Sequence, residues 1–129
     1  MTWPVVYYRK RDGSEPVDEF ISNLDATTQV VLDNQIERLG VFGSVLPFPH
    51  SSQLRGELRE LRCHHGNDLY RILYRRSDNL FVLLHTLRKR EEKVPDADIE
   101  LAQERWNDFK ERMNERPRRP PRAAGHDAG

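Results

Sequence analysis

The spacing of hydrophobic residues changes along the chain, and these changes predict the order of helices and strands. The run Val5-Val6-Tyr7-Tyr8 is short, β-branched and aromatic, which predicts a strand. Two stretches follow in which apolar residues recur every three or four positions, the spacing of an amphipathic helix. The first stripe consists of Val17, Phe20, Ile21 and Leu24, and the second of Thr28, Leu32, Ile36 and Leu39. Asp25 is suited to cap the second helix, and Gly40 or Gly43 to end it.

The second half of the chain is predicted to form three strands and a final helix. Residues 45–53 hold two prolines and two serines, which predicts a loop. Strands are expected at about residues 57–64, 69–76 and 80–87, joined by turns at Gly66-Asn67 and Ser77-Asp78-Asn79. Such short turns join antiparallel neighbours. Pro95 and Asp96 open a last helix, whose apolar stripe is Ile99, Ala102, Trp106, Phe109 and Met113.

The element order is therefore β-α-α-β-β-β-α, which predicts an α+β fold. We expect an antiparallel sheet, made of one N-terminal strand and a three-stranded meander, with the helices packed mainly on one face. A chain of 129 residues suits one domain. Residues 1–114 are expected to form it. Residues 115–129, rich in arginine and proline, are expected to be a disordered tail.

Composition and charge narrow the class of protein. Hydrophobic residues make up 36% and charged residues 33%, which is compatible with folding. A single cysteine and the lack of a long apolar run predict a cytoplasmic protein without a membrane span. The net charge is zero, but residues 12–40 hold seven acids and one base, whereas residues 51–93 hold ten bases and six acids. A local positive field of this kind attracts phosphates.

Two arginines stand in the middle of the predicted first hairpin. If Gly66-Asn67 forms the turn, Arg62 and Arg71 lie directly opposite one another. The other face then pairs apolar residues, Leu61 with Ile72 and Cys63 with Tyr70. Like charges directly opposite on a sheet are destabilising. An anion between the two arginines makes their arrangement favourable. The planar guanidinium group, with its paired N–H donors, suits a phosphate.

The next strand extends this predicted basic site. With a three-residue loop at Ser77–Asn79, His85 faces Arg71, and Lys89 and Lys93 follow just beyond the strand. Glu60 shares the face of Arg62, and its simplest role is to pair with a neighbouring base. These basic residues suit a metal-independent cleavage in which the 2′-hydroxyl of the RNA attacks the adjacent phosphorus. Histidine transfers protons, and arginine stabilises the phosphorane charge.

Ordinary structural roles remain open for the same residues. Arg71 is also suited to pair with Glu60 on the sheet surface, and His85 to serve as a structural histidine. Lys89 and Lys93 are also compatible with ordinary solvated side chains. Cys63-His64-His65 lacks a second ligand pair at useful spacing, so we predict no metal site and no cofactor.

The chain resembles the RelE/ParE toxin superfamily, most closely its HigB-like, phage-related branch. Three segments carry the resemblance: LRGELRELR at 54–62, LYRILY at 69–74 and HTLRKREEKVP at 85–95. It implies the toxin of a type II toxin–antitoxin system, an endoribonuclease that cuts mRNA on the ribosome without metal. Arg71 matches a catalytic arginine, Arg62 the arginine that closes the ELR motif, and Lys89 and Lys93 basic positions of the third segment.

The resemblance also implies partners and alternatives. The expected partner is a HigA-like antitoxin with a helix-turn-helix domain, through which alone the toxin would reach operator DNA. We predict Arg62, Arg71, His85, Lys89 and Lys93 as catalytic residues, and Arg55, Arg75 and Arg88 as RNA-binding residues. Two alternatives stay open. One is a ParE-like gyrase inhibitor without nuclease activity, and the other is a non-toxic relative that acts in the antitoxin complex and in promoter autoregulation.

Overall fold

The computed structural model describes residues 2–88 and 93–115 and has the predicted α+β architecture. Within this part of the chain a sheet with strand order β1-β5-β4-β3-β2 carries helices on both faces. Its strands are β1 (Val5–Tyr7), β2 (Ser51–Arg55), β3 (Leu58–His65), β4 (Asp68–Ser77) and β5 (Leu80–Arg88). Its helices are α1 (Pro16–Ser22), α2 (Ala26–Phe42) and α3 (Asp96–Glu115), with a short 3₁₀ turn at Gly43–Val45.

Each face of the sheet has its own apolar core because side chains alternate along the strands. One core packs Leu61, Ile72 and Leu83 against α1 and α2. The other packs Leu73, Val82 and Leu84 against α3, with Trp106 and Phe109 on the helix side. Two of the described helices thus share a face, and α3 covers the opposite one. We refer to that opposite face as the α3 face.

The helix ends follow local chemistry. Asp25 caps α2 as predicted, since its carboxylate accepts a hydrogen bond of 3.2 Å from the backbone N–H of Thr28. Gly43 ends the helix with a positive φ of 58°, a conformation that favours glycine. At its C-terminal end, α3 reaches Glu115, one residue into the segment predicted as a tail. The rest of the predicted tail, residues 116–129, lies outside the described residues.

Two details of the sheet differ from the prediction. Residues 51–53, which we expected in a loop, belong to β2 and pair with β3. A polar edge strand is held by backbone hydrogen bonds, so its sequence shows no apolar alternation. In addition, β1 pairs with β5 in parallel, which makes the sheet mixed rather than antiparallel. The helices α1 and α2 lie between β1 and the meander in the chain, and they let the chain cross over before the meander begins.

The second turn of the meander is also shorter than predicted. Ser77 pairs with Leu80, so the loop is Asp78-Asn79, and Asp78 adopts a positive φ of 51°. Farther along, the register shifts because Leu84 is inserted between the residues that face Tyr74 and Leu73. Such a bulge reverses which face the following residues occupy.

Replacing Gly43 by alanine tests the packing at the end of α2. A Cβ at this position would clash with the indole ring of Trp3. We expect Gly43→Ala to lower the free energy of unfolding by about 3 kcal/mol, because backbone strain and a steric clash add. Gly56 is the matched control, since its φ of 56° is nearly the same and no atom lies within 4 Å of its Cβ position.

Gly56→Ala should cost only about 1 kcal/mol, the strain of the backbone alone. Urea unfolding followed by far-ultraviolet circular dichroism measures both variants. Equal losses for the two alanines would contradict the described contact between the end of α2 and Trp3.

Candidate functional site

An open cleft lies on the α3 face beside the turn that joins β3 to β4. Its volume is about 740 Å³, and we call it the hairpin cleft. On this face α3 packs mainly against β5 and β4, which leaves the β3 side less covered. The residues that line it include Phe48, Arg62, His64, Asn67, Asp68 and Arg71.

The register of the hairpin is the predicted one. Arg62 pairs with Arg71, Leu61 with Ile72 and Cys63 with Tyr70. Cys63 is fully buried in the α1–α2 core, and desolvation raises the pKa of its thiol to about 12. The cysteine is therefore a core residue, as its place on the apolar face predicted.

A carboxylate of the protein itself lies between the two arginines. Glu60 Oε1 is 3.2 Å from Arg71 Nε and 3.8 Å from Arg62 Nη1. Its other oxygen, Oε2, accepts a 2.9 Å hydrogen bond from the Ser52 hydroxyl. The predicted pairing of Glu60 with a neighbouring base is confirmed, and it relieves the repulsion between the arginines. Two guanidinium groups and one carboxylate therefore lie close together on this face of the sheet.

The two arginines differ in how far solvent reaches them. Arg71 is 1% exposed and forms part of the base of the hairpin cleft, whereas the Arg62 side chain is 18% exposed. The guanidinium carbon of Arg62 also lies 5.4 Å from the centre of the Phe48 ring, within the range of a cation–π contact. A ligand that enters the hairpin cleft therefore meets Arg62 before Arg71.

His85 does not face Arg71, so that part of the prediction is wrong. The two-residue loop and the bulge at Leu84 place His85 opposite Leu73, while Arg71 pairs with Leu87. The imidazole turns to α3 instead, where its Nε2 is 2.7 Å from Asp98 Oδ1. Burial lowers the pKa of His85, and the nearby Arg105 lowers it further, against the opposing effect of Asp98. His85 is thus held as a part-buried group between β5 and α3.

The remaining predicted basic residues are spread over the surface. Arg55 contacts Asp96 at 2.9 Å, and Arg75 contacts Glu57 at 2.9 Å while stacking on Trp106. Both lie on the α3 face. Arg88 contacts Asp68 at 2.9 Å and lies over Tyr70, on the opposite face of the sheet. Lys93 is exposed, and Lys89 lies outside the described residues.

Two residues of the hairpin cleft were missed by the sequence analysis. His64 lies two residues after Arg62 on the same strand, so strand alternation alone would have placed both on one face. Phe48 stands between two prolines in LPFPH, a segment predicted only as a loop, and nothing in its spacing indicates that the ring is exposed.

The described ranges, 2–88 and 93–115, contain no group of three His, Cys, Asp or Glu residues arranged to hold a metal ion. Within the same ranges, no helix is both long and apolar enough to cross a membrane.

Removing the charge of Glu60 tests the pairing beneath the hairpin cleft. Glu60→Gln keeps the shape and the acceptor for Ser52 but leaves two like charges opposite one another. We expect the free energy of unfolding to fall by about 2–3 kcal/mol, since both Glu60 and Arg71 are buried. Glu57→Gln is the matched control. Glu57 pairs with Arg75 but its side chain is 79% exposed, so the loss should stay within about 0.5 kcal/mol. Equal losses in chemical denaturation would show that the buried pair contributes no more than a surface pair.

The lowered pKa of His85 predicts a pH dependence of stability. The unfolded chain binds this proton more readily than the folded one, with a pKa of about 6.5. The stabilisation from neutral His85 is therefore fully present above about pH 6.5 and is lost as the pH falls below that value.

Wild type should consequently lose more stability than His85→Gln when the pH is lowered from about 7.5 to about 5. Urea midpoints measured across this range give the two slopes. Parallel slopes would mean that His85 does not titrate differently in the folded and unfolded states.

Comparison with known proteins places the chain in a family. A family model described as "Phage derived protein Gp49-like (DUF891)" matches residues 19–107, a range that includes the whole hairpin cleft. No curated protein matches the chain. The family is related to toxin–antitoxin systems through RelE-like toxins, which implies an antitoxin as partner. Since the match covers more than half of the 129 residues, the chain belongs to the Gp49-like family of phage-derived proteins.

Proposed function

We propose that this protein is the HigB-like toxin of a type II toxin–antitoxin system and that it cuts mRNA on the ribosome. The observation that carries the proposal is the hairpin cleft, an open site of about 740 Å³ that has Arg62, Arg71 and His64 in its lining. Cations and an imidazole in one open site suit the binding and cleavage of a phosphodiester. Membership in a toxin-related family supports the same conclusion.

In the proposed reaction, the 2′-hydroxyl of RNA attacks the adjacent phosphorus and the 5′-oxygen leaves. Negative charge accumulates on the phosphate oxygens in the transition state. Arg62 is accessible and contacts the phosphate directly, whereas buried Arg71 adds positive charge from below. An arginine side chain stays protonated at any physiological pH, so both act as electrostatic stabilisers. The proposed reaction takes its charge stabilisation from these arginines and is metal-independent.

Proton transfer is proposed for a histidine in the hairpin cleft. His64 is exposed there and is free of the constraints on His85, which is engaged by Asp98 and Arg105. We therefore propose that His64 either accepts the proton of the 2′-hydroxyl or donates one to the leaving 5′-oxygen, while water exchanges the other proton. We assign a structural role to His85. Arg55, Arg75 and Lys93 are proposed to contact the RNA backbone, as is Lys89, which lies outside the described residues. Arg88 lies on the opposite face of the sheet and is left out of this set.

The proposed partner is a HigA-like antitoxin with a helix-turn-helix domain. In this proposal the toxin reaches operator DNA only through the antitoxin, and its own positive cleft serves RNA. The ion pairs of Arg55 and Arg75 lie on the surface and are weak in water. In the proposed complex, phosphate oxygens of the RNA can therefore replace the acidic partners of these arginines.

A second candidate function is a non-toxic relative that acts in the antitoxin complex and in promoter autoregulation. The observation in its favour is that Arg55, Arg75 and Arg88 each already contact an acidic side chain. A ParE-like gyrase inhibitor is the remaining alternative, and it requires no cationic cleft.

Substitution of Arg62 distinguishes these functions. We expect induced wild-type protein to arrest growth and to create new mRNA 5′ ends within translated frames. Arg62→Ala should reduce the frequency of these cuts at least tenfold, because a charged hydrogen bond to phosphate contributes about 1.5–3 kcal/mol.

Arg59→Ala is the matched control, since Arg59 lies on the same strand but bonds to Ser51 on the opposite face. It should cut as wild type does. Growth arrest with DNA damage and without RNA cuts would favour gyrase, and soluble wild-type protein without any arrest would favour the non-toxic relative.

A further inference from the structure

Phe48 is a large aromatic residue whose side chain is exposed to solvent. Its exposed fraction is 69%, although the ring lines the hairpin cleft rather than an isolated stretch of surface. Single exposed apolar residues are common and need no explanation. A ring placed at the rim of a cationic cleft is different, because nucleic-acid sites combine positive charge with aromatic faces.

The loop that carries Phe48 is braced on both sides. The carbonyl of Pro47 accepts hydrogen bonds from the backbone N–H groups of His50 and Ser51, at 2.9 and 3.1 Å. The carbonyl of His50 in turn accepts the N–H of Arg62 at 2.8 Å, which ties the loop to β3. The ring is therefore presented by a fixed backbone, and little ordering is needed when a ligand binds.

Arg62 lies against the Phe48 ring. Its guanidinium carbon is 5.4 Å from the ring centre, and the same side chain is drawn to Glu60 from the other direction. One face of the aromatic ring is thus supported by a cation, and the high exposure leaves the other face open. A planar base on the open face would complete a stack of base, phenyl ring and guanidinium.

We propose that Phe48 is a stacking platform for one unpaired base of the RNA, with Arg62 holding the phosphate next to that base. The inference rests on the proposed action on RNA and adds a binding residue to it. Stacking on an aromatic ring does not read hydrogen-bonding edges, so this position should accept any base and require only that it be unpaired. The platform favours single-stranded RNA over a duplex, whose bases are already stacked.

Fluorescence of 2-aminopurine tests the stack directly. The probe is a single-stranded 2′-O-methyl oligoribonucleotide with one 2-aminopurine, which cannot be cut by attack of its own 2′-hydroxyl. Binding of the wild-type protein should quench the base. Phe48→Ala should abolish the quenching and raise the Kd roughly fivefold to hundredfold. Phe48→Trp should retain both properties.

Phe42→Ala is the matched control because Phe42 is also a half-exposed phenylalanine but lies at the end of α2, away from the hairpin cleft. Its Kd and quenching should equal those of wild type. The same variants are expressed in cells and their mRNA 5′ ends are mapped. Phe48→Ala should cut less often than wild type, and Phe42→Ala equally often.

The outcomes separate this inference from the proposed function. If wild type cuts mRNA and Phe48→Ala binds the probe and cuts as wild type does, the stacking platform is wrong and the nuclease function stands. If wild type cuts mRNA but does not quench the probe, direct stacking in the free cleft is likewise overturned. If wild type neither binds RNA nor cuts it, both proposals fall. A duplex probe that binds as tightly as the single strand would also overturn the requirement for an unpaired base.

Discussion

The pairing of β3 with β4 in one register is the constraint on which the candidate site depends. It sets Arg62 opposite Arg71, an arrangement that is unfavourable unless a negative charge joins it. Glu60 supplies that charge from the same face of β3, two residues before Arg62. The carboxylate thereby offsets the repulsion between the two arginines of the hairpin. In the proposed function, the same three side chains serve both the folding of the hairpin and the binding of a phosphate.

The packing around each charged or titratable side chain of the α3 face determines whether a ligand can reach it. Arg71 is buried, so its charge acts through the floor of the hairpin cleft, whereas Arg62 reaches the opening. α3 packs mainly over β4 and β5, and this coverage takes His85 into contact with Asp98 and Arg105. The part-buried imidazole, with its lowered pKa, supports the packing of α3 at neutral pH. On β3, where this face is less covered, His64 remains open to a ligand.

The two faces of the sheet also differ in their proposed roles, since one holds an apolar core and the other holds both an apolar core and the proposed RNA site. The face beneath α1 and α2 is filled by an apolar core that includes Cys63 and Tyr70. The α3 face combines a core under the helix with an open cationic site beside it. In the proposed function, RNA enters from this open side, its phosphate contacts Arg62 and one of its bases meets Phe48. In the same proposal, the antitoxin implied by the family meets a toxin whose RNA site is accessible at the surface.

The sequence alone was sufficient to predict the α+β class, the positions of the helices, the cap at Asp25 and the pairing of Arg62 with Arg71. These features depend on local spacing, because apolar periodicity and a tight turn at Gly66-Asn67 leave little choice of register. It did not reveal β2, because a polar edge strand is recognised only through the partner whose backbone it bonds.

The tertiary structure was needed to place His85, since one inserted residue at Leu84 shifts the register and turns the imidazole to α3. It also decided which charges are buried and which are open. Burial depends on what packs above each strand, and no spacing along a single strand contains that information.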